Sequence, residues 1–432
     1  MLAPVLYSLT SSLHGEMAPD PREEPFIRGI EAALGTPFDC RGEDFRLFGR
    51  TDVPELVYIR TGGTEGLFAE KVPLGGKPVA LLTSGQSNSL AASMEILSWL
   101  RLRGIEGEIL HGSAQDIAAR IRALQGDGPR SGGQMAPGAA LVGPYRFGRV
   151  LEGKRYGVVG RPSDWLISSG VDYAAAKEAL GAELIDIPIG ELVAEVRQTG
   201  HENAPDRANP AAQNPGLARK TPFSEPATTL KPLNAPKYGR KIDAADWQGA
   251  LDIYGALRRL VGKYRLDGLT LRCFDLLTAL HNTGCLALAV LNSEGITATC
   301  EGDIPAMLSM AVAQAVTGRA SFQANLSRIE GDRLLFAHCT VPLGIVQDYC
   351  YDTHFESGIG VAIHGELPPG PVTLFKLSPD CRSMLRCEAR LTANAYGDKL
   401  CRTQVVVEAP GAADYFLRTP IGNHHIIVPG IL

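Results

Sequence analysis

The 432-residue chain is most informative first through what it lacks. It has no apolar run approaching the roughly 20 residues needed to cross a bilayer. Its apolar start, residues 1–13, has no Lys or Arg ahead of it, which makes it a poor export signal. The nine cysteines are odd in number and form no CxxC pair. That pattern argues against a disulfide framework or a structural zinc site, and for a reducing cytoplasm. Most of these cysteines read as small buried hydrophobes. A strong charge of one sign is also missing: the formal net charge of −5 gives no case for a nucleic-acid or membrane-surface partner. Histidine is scarce, at nine residues, so where each one falls carries weight. There is no internal repeat and no low-complexity array.

What is present reads as globular, with 45% hydrophobic and 21% charged residues. The length exceeds one ordinary domain, so two or three are expected. Residues 4–10 read as a first strand. Residues 78–83 (PVALLT) form the next clear strand signal, followed by helical spacing over 90–102, a strand at 107–111 and a helix at 117–124. The pattern then repeats: strand 156–160, helix 173–180, strand 183–187, amphipathic helix 246–264, strand 268–274 and short helix 276–281. Strands alternating with helices of this length predict an α/β fold with parallel, doubly wound sheets. We expect two such domains, residues 1–150 and 151–318, with the Gly/Pro/Ser-rich stretch 126–138 near their boundary. Residues 201–240 carry seven prolines and almost no apolar periodicity. A segment of this kind is expected to be a lid, an inter-subunit arm or disordered. After an apolar helix at 304–316 the texture changes to short strand-like runs: 334–340, 360–364, 372–377, 384–391 and 403–409. These predict a β-rich third domain, residues 319–432, built as a sandwich or barrel.

The chemistry concentrates at residues 297–308, which follow the apolar run 285–291 and open the long apolar helix. Glu301 and Asp303 flank Gly302 at a strand-to-helix junction, and in α/β folds ligands bind at the carboxyl ends of strands. Asp303 reads first as a helix N-cap, and Glu301 as a metal ligand or general base. Two other loops follow strands. In residues 84–89, Gln86 and Asn88 either face a ligand or, through Ser87 or Asn88, cap the next helix. In residues 161–165, Arg161 either meets an anionic substrate group or pairs with Asp164, and Trp165 lies beside them. His338 ends a strand-like run, His424 and His425 form a late pair, and His354 and His364 lie between. Glu301 with two separated histidines has the ligand types of Mn²⁺, Zn²⁺ or Co²⁺. Each histidine, taken singly, reads first as a hydrogen-bonded packing residue.

Several segments together resemble the L-fucose isomerase and L-arabinose isomerase superfamily, most nearly its fucose-isomerase-like branch. They are residues 83–90 (TSGQSNSL), the Glu301-Gly302-Asp303 turn, Thr317-Gly318, Phe322-Gln323-Ala324-Asn325, residues 337–342 (AHCTVP) and Gly422-Asn423-His424-His425. Each is short; their order along nearly the whole chain carries the resemblance, which is densest from residue 268 onward. The resemblance implies two α/β domains followed by a β-rich one, which matches the texture change. It implies an aldose–ketose isomerase of a free sugar that works through an enediolate with Mn²⁺, Co²⁺ or Zn²⁺. It also implies a homo-oligomer, trimer or hexamer, whose neighbouring subunit completes the pocket. By position Glu301 resembles the first acidic ligand and proton carrier. His338 resembles an additional histidine of the arabinose branch, and His424 or His425 the late histidine, with His424 slightly preferred. The second acidic ligand should fall in residues 322–326, where this chain has Asn325. An amide oxygen can coordinate but is no base. So either another acid, Asp303 or Asp332, substitutes, or the chemistry differs. Arg272 and Asp303 are then expected to support the site, Arg272 with a possible substrate contact. Gln86, Asn88, Arg161 and Trp165 are expected to grip the sugar. The alternatives are an isomerase of a sulfonated or acidic sugar and a non-catalytic sugar-binding protein on the same scaffold.

Overall fold

The computed structural model describes residues 3–11, 19–125, 141–199, 230–231 and 241–432. The stretch 126–138 and nearly all of 201–240 lie outside the described residues. The first sheet contains β1 (Val5–Leu9), β2 (Asp39–Gly42), β3 (Glu55–Ile59), β4 (Val79–Thr83) and β5 (Gly107–Leu110). They lie in the order β2-β1-β3-β4-β5, all parallel. Leu6, Leu56, Tyr58 and Leu82 share a core with Ile27 and Ile30 of α1 (Pro25–Leu34) and Ile117 of α4 (Ala114–Gln125). The alternate residues Tyr7, Val57, Ile59 and Leu81 belong to a second core with Phe68 of α2 (Glu65–Lys71) and Leu90 and Leu97 of α3 (Ser89–Leu102). Strands buried on both faces read as continuous apolar runs, which is why 78–83 was legible.

A short strand, β6 (Val142–Pro144), leads to the second parallel sheet. That sheet holds β7 (Arg155–Val159), β8 (Glu183–Ile187), β9 (Gly268–Leu271) and β10 (Thr297–Cys300) in the order β10-β9-β7-β8. The helices α5 (Tyr173–Leu180), α6 (Ile189–Thr199), α7 (Ala244–Tyr264) and α8 (Asp275–Ala279) are interleaved with its strands. The apolar run 285–291 is helix α9 (Cys285–Ser293), buried from Cys285 to Asn292. Its Leu/Ala-rich composition favours helix, so the strand at the Glu301 junction is the four-residue β10 instead.

The C-terminal region is a closed barrel of six antiparallel strands, not a sandwich. Its strands are β11 (Phe322–Glu330), β12 (Arg333–His338), β15 (Gly370–Leu377), β16 (Ser383–Ala395), β17 (Thr403–Glu408) and β18 (His424–Pro429). The circuit runs β15-β18-β11-β12-β17-β16 and closes through β16 on β15. The early strand β6 adds to the outside of β16. A hairpin of β13 (Asp348–Asp352) and β14 (Ala362–Glu366) stands beside the barrel, and α11 (Ala412–Arg418) precedes β18. Strand β11 has no clean alternation because Gln323, Asn325 and Ser327 are buried along with its apolar residues.

Two helices tie the sheets to the barrel. Every residue of α3 from Ser89 to Leu100 is buried, and the helix lies between the first sheet and β11. Helix α10 (Ile304–Thr317) packs on β9 and β10 and on the barrel strands β15 and β18. Gly85, at φ 74°, marks a close approach: a Cβ there would sit 2.6 Å from the Ser327 carbonyl oxygen. His111 spans the same seam. Its Nε2 accepts from the Ile329 amide at 3.1 Å and its Nδ1 faces the Thr83 carbonyl at 3.3 Å. Among the described residues no helix is long and apolar enough to cross a membrane.

Candidate metal centre

The centre is built where the carboxyl end of β10 meets the barrel. After Cys300 the chain turns left-handed twice, at Glu301 (φ 65°) and Gly302 (φ 71°). A non-glycine residue held there is uncommon, and such strain concentrates at functional sites. Gly302 is required by proximity as well, since a Cβ would lie 2.6 Å from the Arg161 carbonyl oxygen. The turn is pinned by the Ser163 amide donating to the Glu301 carbonyl (2.9 Å) and the Gly302 amide donating to Leu271 (3.0 Å). Asp303 then caps α10, its Oδ1 accepting from the Ala306 amide at 2.6 Å. Its Oδ2 faces inward, 2.8 Å from His424 Nδ1 and 3.4 Å from the buried Lys376 ammonium.

Barrel register supplies the remaining groups. His424 on β18 lies across from Asn325 on β11, and Asn325 lies across from Ala337, next to His338 at the end of β12. Successive strand residues face opposite sides, which separates the late histidine pair. His424 turns toward Glu301, its Nε2 3.4 Å from Oε1. His425 turns away, its Nε2 2.9 Å from the Tyr415 hydroxyl and its ring against Phe416. His338 Nδ1 is engaged by the Thr340 hydroxyl at 2.8 Å, which leaves its Nε2 as the open ring nitrogen. Trp165 Nε1 donates to Glu301 Oε2 at 2.6 Å, with the indole edge-on to Phe274.

One ligand atom from each of Glu301, His338 and His424 lies within 4.8 Å of the others, and all three residues are buried. No family model matches this chain, and no curated protein matches it. The assignment of the centre therefore rests on its own geometry. His424 Nε2 is buried with no hydrogen-bond partner, although Asp303 orients the ring through Nδ1. A carboxylate behind a histidine that presents its other nitrogen is the usual support of a metal ligand. The donor set of one carboxylate and two imidazoles suits a divalent ion, so these residues fit a metal.

The electrostatics agree. Burial pushes the Glu301 carboxyl up, but His424, then His338 and the Trp165 N–H, outweigh it and hold the group below its ordinary range. Asp303 is likewise held low: burial raises it, and Lys376 and His424 more than offset that. Burial and the neighbouring His424 push His338 down to about 4. His424 is pushed up to about 9 against its own burial, because Glu301 and Asp303 both stabilise the imidazolium. In the absence of an ion a proton on His424 balances these carboxylates.

The centre opens into a cavity of about 390 Å³, mouth included, lined by Asn88, Trp165, Phe274, Glu301, Asn325 and Glu356. Of the residues singled out in the sequence, Glu301, His338, His424, Asn325, Trp165 and Asn88 are thus brought together. The others are not. Gln86 is exposed and does not line the cavity. Arg161 pairs with Asp164 at 3.0 Å on the surface, which is the structural alternative weighed for it. Arg272 is buried beneath the loop, bonded to Asp164 (2.6 Å), Asp275 (2.9 Å) and the Pro162 carbonyl (2.6 Å), so it holds the Trp165 loop in place. Asp303 stands behind His424 rather than in the cavity, and Asp332 sits at the β11–β12 turn, bonded to the Gly411 amide. Neither supplies the second acid that Asn325 lacks. Sequence reasoning missed two lining carboxylates, Glu65 and Glu356. Glu65 follows the Gly62-Gly63 pair at the end of β3, a loop signal that could have found it; Glu356 lies between β13 and β14 with no local signal. Burial, then the Glu301 charge, pushes Glu356 up to about 7.

Proposed function

We propose that the protein is a metal-dependent aldose–ketose isomerase acting on a free sugar through an enediolate, on a scaffold whose two parallel sheets are doubly wound. The observation that carries this reading is the buried Glu301–His338–His424 set, with an unsatisfied His424 Nε2, at the head of a polar cavity. Mn²⁺ is the proposed ion, with Co²⁺ or Zn²⁺ as substitutes. Bound there, a divalent ion would polarise two adjacent sugar oxygens as a Lewis acid. The chain's own groups do the rest. Glu301 is ionised and accepts the C2 proton of an open-chain aldose, then returns it to C1 from the same face, while the proton of the C2 hydroxyl passes to O1 across the enediol. Trp165 fixes Glu301 Oε2. Asp303 and Thr340 fix the rings of His424 and His338. Asn325 offers an amide oxygen to a sugar hydroxyl, and the Trp165–Phe274 edge keeps water from the reacting carbons.

We further read the chain as a cytoplasmic homo-oligomer, trimer or hexamer. None of the nine cysteines is in a disulfide, which supports a reducing compartment, and exposed Gln86 is available to a neighbouring subunit's pocket. Asn325, in place of the acid the resemblance expects, favours one second reading: a sugar-binding protein on the same scaffold.

The test is elemental analysis of the purified protein before and after chelation, followed by an aldose screen for ketose with Mn²⁺ restored. Near-stoichiometric metal, and ketose formation lost with Glu301→Gln, is the expected result. Turnover and metal binding that both survive Glu301→Gln would overturn the assignment, and saturable sugar binding without turnover would favour the second reading.

A further inference from the structure

The cavity has an excess of hydrogen-bond acceptors. Glu65 opens α2, is 2% exposed, and its Oε2 has no hydrogen-bond partner. Half-buried Glu356 accepts from Asn88 Nδ2 at 2.7 Å, which leaves Asn88 Oδ1 unpartnered. Independently of these carboxyls, the Asn325 amide oxygen is unpartnered on a side chain only 4% exposed. Glu65, Asn88, Asn325 and Glu356 all line the same cavity as Glu301. Glu65 lines its first-sheet end and His338 the opposite, thiol-lined end, while Asn325 and Glu356 line both. Among the described residues that line it, none is Lys or Arg.

A buried acceptor without a donor is costly, and one that nothing in the fold satisfies is a place for a ligand. Here the missing partners are donors. A hydroxyl or ammonium group supplies them. A carboxylate, phosphate or sulfonate would bring only further acceptors, to a lining that offers no Lys or Arg to pair with them.

We propose that Glu65, at the first-sheet end of the cavity, and Glu356, which lines both ends, form a subsite that binds a hydroxyl- or ammonium-bearing end of the ligand and rejects anionic ends. This rests on the sugar reading above and narrows it to neutral or amino sugars, against the sulfonated or acidic sugar that the sequence left open. Glu65 and Glu356 then determine specificity, while Glu301 and the histidines serve the reacting end.

The test uses sugar derivatives that carry no aldehyde or ketone and so cannot isomerise. Glucitol, glucamine and gluconate, and the corresponding galactose- and mannose-derived trios, are titrated calorimetrically into the metal-free full-length chain, so that no carboxylate is captured by an ion. The expected result is that the acid binds at least about tenfold more weakly than the neutral alcohol and the amine at least as tightly. Glu65→Gln and Glu356→Gln should each narrow that gap. The two variants are independent, so one that fails to fold leaves the other to decide. An acid that binds as tightly as the alcohol, or a charge order that survives both substitutions, overturns the subsite alone. Failure of every trio to bind the metal-free chain overturns the subsite, while the sugar reading is decided separately by the aldose screen with Mn²⁺ restored.

Discussion

Asp303→Asn probes the link between fold and centre most directly, because both oxygens of this carboxylate are in use. Oδ1 caps α10 through the Ala306 amide, and Oδ2 faces two donors, His424 Nδ1 at 2.8 Å and Lys376 Nζ at 3.4 Å. Asparagine has one acceptor oxygen and an NH₂ donor. If the oxygen keeps the cap, the NH₂ confronts an imidazole N–H and an ammonium. If it turns to His424, α10 loses a cap worth about 1 kcal/mol. In both cases Lys376, 1% exposed, becomes a buried charge without a counter-charge. Breaking such a pair costs on the order of 3–5 kcal/mol. Losing the carboxylate behind a ligating histidine lowers metal affinity by about 10- to 100-fold, or about 1.4–2.7 kcal/mol. The assay is Mn²⁺ affinity by chelator competition alongside thermal unfolding. Adding Lys376→Met removes the unpaired ammonium, so the double variant should regain most of the stability and none of the metal affinity. A folded Asp303→Asn protein that binds Mn²⁺ as tightly as the wild type would refute the reasoning. So would a double variant that recovers metal affinity, because the loss would then have come from the fold.

Three other outcomes are expected. Trp165→Phe keeps an aromatic edge against Phe274 but strips the 2.6 Å donor from Glu301 Oε2. A hydrogen bond to a charged group contributes about 1.5–3 kcal/mol, so Mn²⁺ affinity should fall about tenfold or more with little change in melting temperature; unchanged affinity would show that Glu301 is held by other contacts. Gly302→Ala forces a Cβ to 2.6 Å from a carbonyl oxygen at φ 71°. The left-handed conformation alone costs about 1–2 kcal/mol, so melting several degrees lower is expected, and calorimetry that finds no change would contradict the described turn. His111 is pushed down to about 4, mainly by burial at the sheet–barrel seam. The unfolded chain therefore binds its proton more readily than the folded one. Stability from this group is complete above about pH 6.5 and is lost as pH falls toward 4, by at most about 1.4 kcal/mol per unit. Thermal unfolding across pH 7 to 4 should show a shallower decline in His111→Gln, and parallel curves would assign the acid sensitivity elsewhere.

Much of the secondary structure was legible because burial and period coincide. Strands such as 78–83 and 183–187 and helices such as 173–180 and 246–264 fall within two residues of the observed elements. Asp303 was legible as a cap, and Glu301 stood out as an acid at a strand end. Three kinds of feature were hidden. Strand β11 mixes buried polar and apolar residues, so it shows no two-residue period. The run 285–291 is apolar in every position, so it shows no helical period, although its Leu/Ala-rich composition favours the helix it forms. Glu356 lies in a loop between the hairpin strands, where nothing local distinguishes it from a solvated acid.

The amino-acid sequence by itself determined many of the elements and their order: alternating strands and helices, then a run of short strands, with a two-acid turn opening a buried helix. These follow from local propensity and from the spacing of apolar residues, which each segment carries alone. Tertiary structure alone decided that the late strands close into a barrel and that β6 joins it. It also decided that His424, rather than its neighbour, meets Glu301 across 123 residues of chain, and that Arg272 supports a loop while Glu65 and Glu356 face a cavity. Those outcomes depend on register and on which side of a strand faces which partner, and a one-residue shift in register would exchange His424 for His425.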